Sequence, residues 1–160
     1  MQPVSEERRA IRLSPKPSTA RLADGPQGRN DRDVVAAIIA CAFQFPYDVG
    51  YVLSSPIGRK DWYFYIAQKN GVPVSTSGLH IQNGIASLTI AATPSYARGN
   101  KAQQAQIQHR IRQAAIKGCS LVNVETGEDR AEKPDLSYRN FSKQNFRPVY
   151  YKNNYVSSPH

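Results

Sequence analysis

An α/β fold, with a mixed central sheet and flanking helices, is predicted by three observations. The pairs Asn70-Gly71 and Asn83-Gly84 separate β-prone runs, and such pairs favour tight hairpin turns, so residues 62–93 form a three-stranded antiparallel meander. Ile107, Ile111, Ala114 and Ala115 then recur at helical spacing through "AQQAQIQHRIRQAAIK", which predicts an amphipathic helix. The apolar run "CSLVNVET" follows, and a strand reached through a crossover helix lies parallel to the strand before it.

The other elements follow from local signals. "DVVAAIIACAF" from Asp33 is apolar nearly all round and reads as a short buried helix, with Asp33 as its N-cap and its end before Pro46. "GYVLSSPIGRKD" reads as an irregular connector. The meander strands are "WYFYIAQ", "VPVSTSGLHI" and "IASLTIAAT". Gly118 after Lys117 stops the long helix. "GEDRAEKPD" is a loop, "LSYRNFSKQN" a short helix, and "FRPVYYKNNYV" a final tyrosine-rich strand.

A chain of 160 residues, 40% apolar and 21% charged, suits one domain with a sizeable core. Residues 1–32 carry seven Lys/Arg against four Asp/Glu and four of the eleven prolines; little apolar periodicity marks them as a flexible basic leader before a single domain over 33–160. No run is long enough to cross a bilayer and the N-terminus lacks the apolar core of a secretory signal, so the expected compartment is the cytoplasm and no membrane partner is expected.

Cys41 and Cys119 have no CxxC spacing, and His80, His109 and His160 share no ligand spacing, so neither a disulfide framework nor a metal site is indicated. His109 reads as solvated and Cys119 as a small buried hydrophobe. The formal charge of +9 attracts nucleic acids, acidic proteins and polyphosphate cofactors alike. Its spread along the chain argues against a dedicated nucleic-acid arm. Tyr150, Tyr151 and Tyr155 alternate with basic residues, a pattern that suits stacking on bases or, more commonly, an edge strand with mixed faces, which would allow a homodimer.

The stretch "AATPSYARGNKAQ", residues 91–103, runs from strand through turn into helix. That layout aims helix N-terminal amides and the positive end of the helix dipole outward, which suits a pyrophosphate. Arg98 and Lys101 add positive charge, and Gly99 permits close approach.

Thr93, Arg98, Ala105, Arg110, Ala114, Gly118-Cys119, Glu125-Thr126, Ser137-Tyr138-Arg139-Asn140, Phe146 and Tyr150 together carry a resemblance to the GNAT acyltransferase superfamily over residues 33–156. Spacing holds without a gap from Thr93 to Cys119. The resemblance implies a GNAT-like fold that splays two parallel strands and slots the pantetheine of acetyl-CoA between them. It places the cofactor on Ala91, Ala92 and Thr93 and its pyrophosphate on the loop Arg98, Gly99, Asn100, Lys101, Ala102 and Gln103, with Ser137 and Asn140 near the pantetheine or phosphates.

Three residues depart from the family pattern: Lys101 stands for the central glycine, Gln103 for the last small residue and Asn145 for the glycine before Phe146. Lys101 has two readings. At a positive φ it costs on the order of 1 kcal/mol or more and partly blocks the phosphate; on an ordinary helix start its ammonium attracts a diphosphate or the adenosine 3′-phosphate.

The implied activity is N-acetyl transfer to an amine by direct attack. It needs a base, main-chain donors for the developing oxyanion and a proton for the leaving thiolate. Glu125 is the candidate base, its alternative a solvent-facing strand-end carboxylate. The family's acidic tyrosine position is Phe141 here, so Tyr138, three residues earlier, is the candidate acid, its alternative an amphipathic surface tyrosine. Ser137 also suits an N-cap of the short helix. The rival function is a catalytically silent GNAT-like module that binds a partner through its basic surface. The acceptor is not encoded.

Overall fold

The computed structural model describes residues 29–99 and 101–155. Strands β1 (Trp62–Lys69), β2 (Val72–Gln82), β3 (Ile85–Ala92) and β4 (Leu121–Val124) form one sheet in the order β1-β2-β3-β4. Positive φ at Asn70 and Gly71, and again at Asn83 and Gly84, gives both predicted hairpin turns the twist that antiparallel neighbours need. β3 and β4 run parallel, in register from Ile85 opposite Leu121 to Leu88 opposite Val124, with helix α3 (Ala102–Ile116) crossing between them. Among the described residues no strand pairs with β3 on that edge beyond Leu88, so the parallel strands part there.

Alternation along each strand splits the core into two layers. Tyr65, Leu79 and Leu88 pack with Ile107 and Ala114 of α3 and with Phe141 of helix α4 (Leu136–Ser142). On the opposite face Phe64, Ile66 and Ala92 pack with Val35, Ile38 and Ile39 of helix α1 (Arg29–Phe43). Each fully buried Leu79- or Ile107-sized side chain contributes roughly 1.5–3 kcal/mol. No helix among the described residues is long and apolar enough to cross a membrane.

The long helix closes as expected. The Gly118 N–H donates to the Ala115 carbonyl and the Cys119 N–H to that of Ala114, both at 3.0 Å, a Schellman cap that seats Cys119 against the core.

Four local expectations are corrected. Helix α1 begins at Arg29, so Asp33 lies inside it rather than capping it, and four residues assigned to the leader join the helix; residues 1–28 lie outside the described residues. Tertiary contacts recruit that first turn: the Arg32 guanidinium sits 3.9 Å from the centre of the Tyr51 ring, and the Tyr47 hydroxyl donates to Asp33 at 3.0 Å. Part of the expected connector is helix α2 (Tyr47–Leu53). A glycine lowers helix propensity, yet α2 packs so close to α1 that a Cβ on Gly50 would lie 2.3 Å from the Ala36 carbonyl oxygen. Packing overrides propensity.

The expected final strand does not form over 146–155. Pro148 removes a ladder donor, and Val149 at 90% exposure with Tyr150, Tyr151 and Tyr155 also exposed leaves no face to cover. Among the described residues the tail therefore offers no strand edge of the kind that would allow a homodimer. His109 is half-buried, its ring edge-on to Tyr65 at 4.7 Å, not solvated.

Candidate active site

A cleft of about 580 Å³ opens where β3 ends and α3 begins. Its floor and rim are the end of β3, residues 97–99 and Lys101 of the following loop, the first turn of α3, the start of α4 and the end of α1. Of the residues assigned to the cofactor from sequence, Ala91, Thr93, Arg98, Gly99, Lys101, Ala102, Gln103, Ser137 and Asn140 line it. Ala92 does not: it is buried on the α1 side of the sheet. Asn100 lies outside the described residues.

The first turn of α3 is open. Its N-cap residue is Lys101, which makes no side-chain capping bond, so the leading amides have no acceptor from a cap. Arg98 and Lys101 are both exposed on the loop before it. Lys101 adopts φ 57 and ψ 13, so the first of its two readings holds: this position is left-handed and a lysine there is strained by on the order of 1 kcal/mol. Lys101 lines the cleft all the same.

Gln103 is the joint between α3 and α4. Its Nε2 donates to Ser137 Oγ at 3.2 Å and its Oε1 accepts from Asn140 Nδ2 at 2.9 Å. A small residue at 103 could make neither bond. Ser137 is thus an acceptor for Gln103 and not the α4 cap; that role falls to Asp135, whose carboxylate accepts from the Tyr138 N–H at 2.7 Å. Asp135 is itself anchored, its N–H donating to Asp129 at 2.8 Å. The Arg139 guanidinium beside Asp129, and then that same Asp135 amide, hold the Asp129 carboxyl below its ordinary range.

Neither candidate catalytic side chain lines the cleft. Glu125 follows the last residue of β4, is exposed, and accepts from Lys152 Nζ at 2.6 Å. That bond raises the Lys152 ammonium above its ordinary range. Tyr138 is half-buried on α4. Phe141 is buried in the core, edge-on to Phe146 at 5.2 Å.

Beneath the cleft lies a buried polar network that sequence reasoning did not assign. Gln106 and Arg110, both on α3 and both 1% exposed, meet the middle of the sheet. Gln106 Nε2 donates to Ser75 Oγ at 3.1 Å and its Oε1 accepts from Ser77 Oγ. The signal was present: Gln106 and Arg110 share the helical stripe of Ile107 and Ala114, where polar residues are out of pattern.

The order of elements, the parting of β3 from β4 and the uncapped helix between them together match a set of solved structures. No protein-family model and no curated protein matches the sequence. The ribosomal-protein-S18-alanine N-acetyltransferase of Escherichia coli superposes with a TM-score of 0.70 at 15% identity, over 86% of this chain and 84% of its own. The chain has the GNAT acetyltransferase fold. The aminoglycoside N-acetyltransferase AAC(6′)-Iy in complex with CoA matches over 91% of this chain and 99% of its own, with a TM-score of 0.67 at 15% identity. A transcriptional regulator from Bacillus halodurans matches over 85% and 99%, at 0.66 and 16% identity. In this GNAT fold the open turn of α3 and the unpaired edge of β3 face one cleft. Residues present suit a pantetheine-diphosphate: main-chain groups without a strand partner on β3, uncapped amides on α3, and two cations beside them.

Proposed function

We propose that the chain is an acetyl-CoA-dependent N-acyltransferase that passes an acyl group to an amine by direct attack. The observation that carries this is the uncapped first turn of α3, flanked by Arg98 and Lys101, beside the β3 edge beyond Leu88. Acetyl-CoA, when bound, supplies the acyl group as a reactive thioester. The α3 amides with Arg98 and Lys101 bind its phosphates, and the Gln103 joint to Ser137 and Asn140 fixes the wall opposite. Main-chain donors of the β3 edge orient the thioester carbonyl. Glu125 and Tyr138 lie outside the cleft lining, so they would act through intervening water: Glu125, once freed from Lys152, would take the proton from the amine and Tyr138 would return one to the thiolate.

Titration calorimetry with acetyl-CoA tests the binding half, and thiol release with a panel of amines tests transfer. Saturable heat with amine-dependent thiol release is expected; no heat at millimolar acetyl-CoA overturns the reading. Glu125→Gln and Tyr138→Phe each lower turnover by about 10- to 100-fold at unchanged cofactor affinity; unchanged turnover removes those two roles.

A second reading has its own support. Phe141 is sealed in the core where GNAT enzymes of the resembling type carry an acid, and Glu125 is already engaged by Lys152. A GNAT-fold module that binds a partner through its basic surface without transfer fits these facts. Binding of acetyl-CoA without release of its thiol in the presence of any amine favours it.

A further inference from the structure

The β2–β3 ladder has an irregularity beside the cleft. Gly78 pairs with Thr89 but Ser77 pairs with Ala91, so Ile90 is an extra residue with no partner, and its φ of 26 lies in the sterically disfavoured positive region. The strand changes sides at this point. Leu88 packs in the α3 layer, whereas Ile90 and Ala92 pack in the α1 layer. Pairing with β4 ends at Leu88, two residues before the bulged one, so the bulge and the parting of the parallel strands are one event.

Arg110 reaches this spot from the third turn of α3. Its Nη1 donates to the Gly78 carbonyl at 3.0 Å and to the Thr89 carbonyl at 3.1 Å, and its Nε to the Gln106 carbonyl at 3.2 Å. In a regular ladder carbonyls lie in the sheet and point to the next strand. Here two carbonyls from the pair flanking the bulge converge on one nitrogen of a helix above the sheet. The strands also approach tightly: a Cβ on Gly78 would stand 2.4 Å from Thr89 Oγ1.

No salt bridge joins Arg110 to a carboxylate among the described residues. Burial accordingly pushes its guanidinium down to about 10. An apolar side chain in the stripe of Ile107 and Ala114 would avoid that desolvation, so stability alone does not account for an arginine here. What an arginine supplies, and a leucine cannot, is a long side chain ending in donors: Nη1 serves both carbonyls that have left the ladder, while Nη2 is buried without a hydrogen-bond partner among the described residues.

We propose that Arg110 is a positioning residue: it holds the bulge at Ile90 open and thereby sets the direction of the β3 edge that receives the acyl thioester. This rests on the acyltransferase reading. Arg110 lies eight residues, or about 12 Å, along α3 from its open first turn, so one rigid helix fixes both the phosphate end and the thioester end of the cleft.

The test compares Arg110→Met and Arg110→Lys with wild type, with Ile107→Ala as a destabilised control on the same helix. Amide chemical shifts and hydrogen exchange at residues 89–92 are read first, without ligand. In Arg110→Met these are expected to change while those of α1 stay in place, and Arg110→Lys, with one donor head, lies between. Turnover is then expected to fall by about 100-fold in Arg110→Met with the KM for acetyl-CoA within about threefold, and to recover by about tenfold in Arg110→Lys. Ile107→Ala lowers the melting temperature with kcat unchanged below it. A folded Arg110→Met with unmoved 89–92 amides, or with turnover within about twofold of wild type, overturns the proposal. Should Arg110→Met not fold, Arg110→Lys is read by the same amide criterion. If wild type neither binds acetyl-CoA nor releases thiol, the acyltransferase reading fails on its own, and unmoved amides still refute the role of Arg110 in the bulge.

Discussion

Gln103 on the first turn of α3 accepts a 2.9 Å hydrogen bond from Asn140 on α4, so the two helices that wall the cleft are held by a side-chain amide pair. Asn140→Ala leaves the half-buried Gln103 oxygen without that donor. A loss of about 1 kcal/mol in urea unfolding is expected. The double variant with Gln103→Ala is expected to lose less than the sum of the two singles, and additivity within about 0.3 kcal/mol would show that the bond carries no coupling.

Lys101 sits in the left-handed region at the start of α3. Lys101→Gly removes the Cβ clash and is expected to stabilise the chain by about 0.5–1 kcal/mol. It also removes a cation from the cleft, so acetyl-CoA binding weakens by roughly 3- to 10-fold, and less so in high salt. Thermal melts and calorimetry at two salt concentrations read both effects. A variant both more stable and tighter in binding would contradict the role given to the ammonium.

The Asp129 carboxyl is held low by the Arg139 guanidinium and the Asp135 amide. Its folded pKa lies below the unfolded value of about 3.9, so its contribution is fully present above that value and is lost as pH falls through the folded one. Wild type and Asp129→Asn should therefore differ in stability at pH 6 and draw together as pH is lowered through and below the unfolded value. Circular-dichroism melts across that range check the sign; a difference that grows toward acid would reverse it.

Gly50 packs against the α1 backbone with no room for a side chain. Gly50→Ala is expected to destabilise by about 1–3 kcal/mol despite alanine's better helix propensity. A stabilised variant, seen as a higher denaturation midpoint, would mean that α1 and α2 separate freely.

Elements defined by short-range chemistry were legible in the sequence. Asn70-Gly71 and Asn83-Gly84 specify their turns locally, and the stripe of Ile107 and Ala114 identifies α3. The parallel partner of β3 and the helix start after Lys101 follow from order alone. Elements that depend on partners far along the chain were not legible: α2 exists because Gly50 admits Ala36, and α1 begins early because Arg32 meets Tyr51. The tail carries strand-like residues but no ladder and, past the half-buried Phe146, no cover over 147–155. For the site, the loop over 98–103 was visible as strand, turn and helix. The Gln103 joint was read only as a departure from a small residue, since its partners Ser137 and Asn140 lie more than thirty positions away. The bulge at Ile90 had no local signal, because nothing in "SLTIAAT" breaks the alternation until Arg110 engages the carbonyls beneath it.

Because β3 crosses over at Ile90, a single strand borders both helical layers, with Leu88 on one and Ala92 on the other. The course of that short edge is thus fixed from both sides, and what reaches it is a substitution that displaces Leu88 or Ala92 themselves rather than one that only loosens the helix behind them.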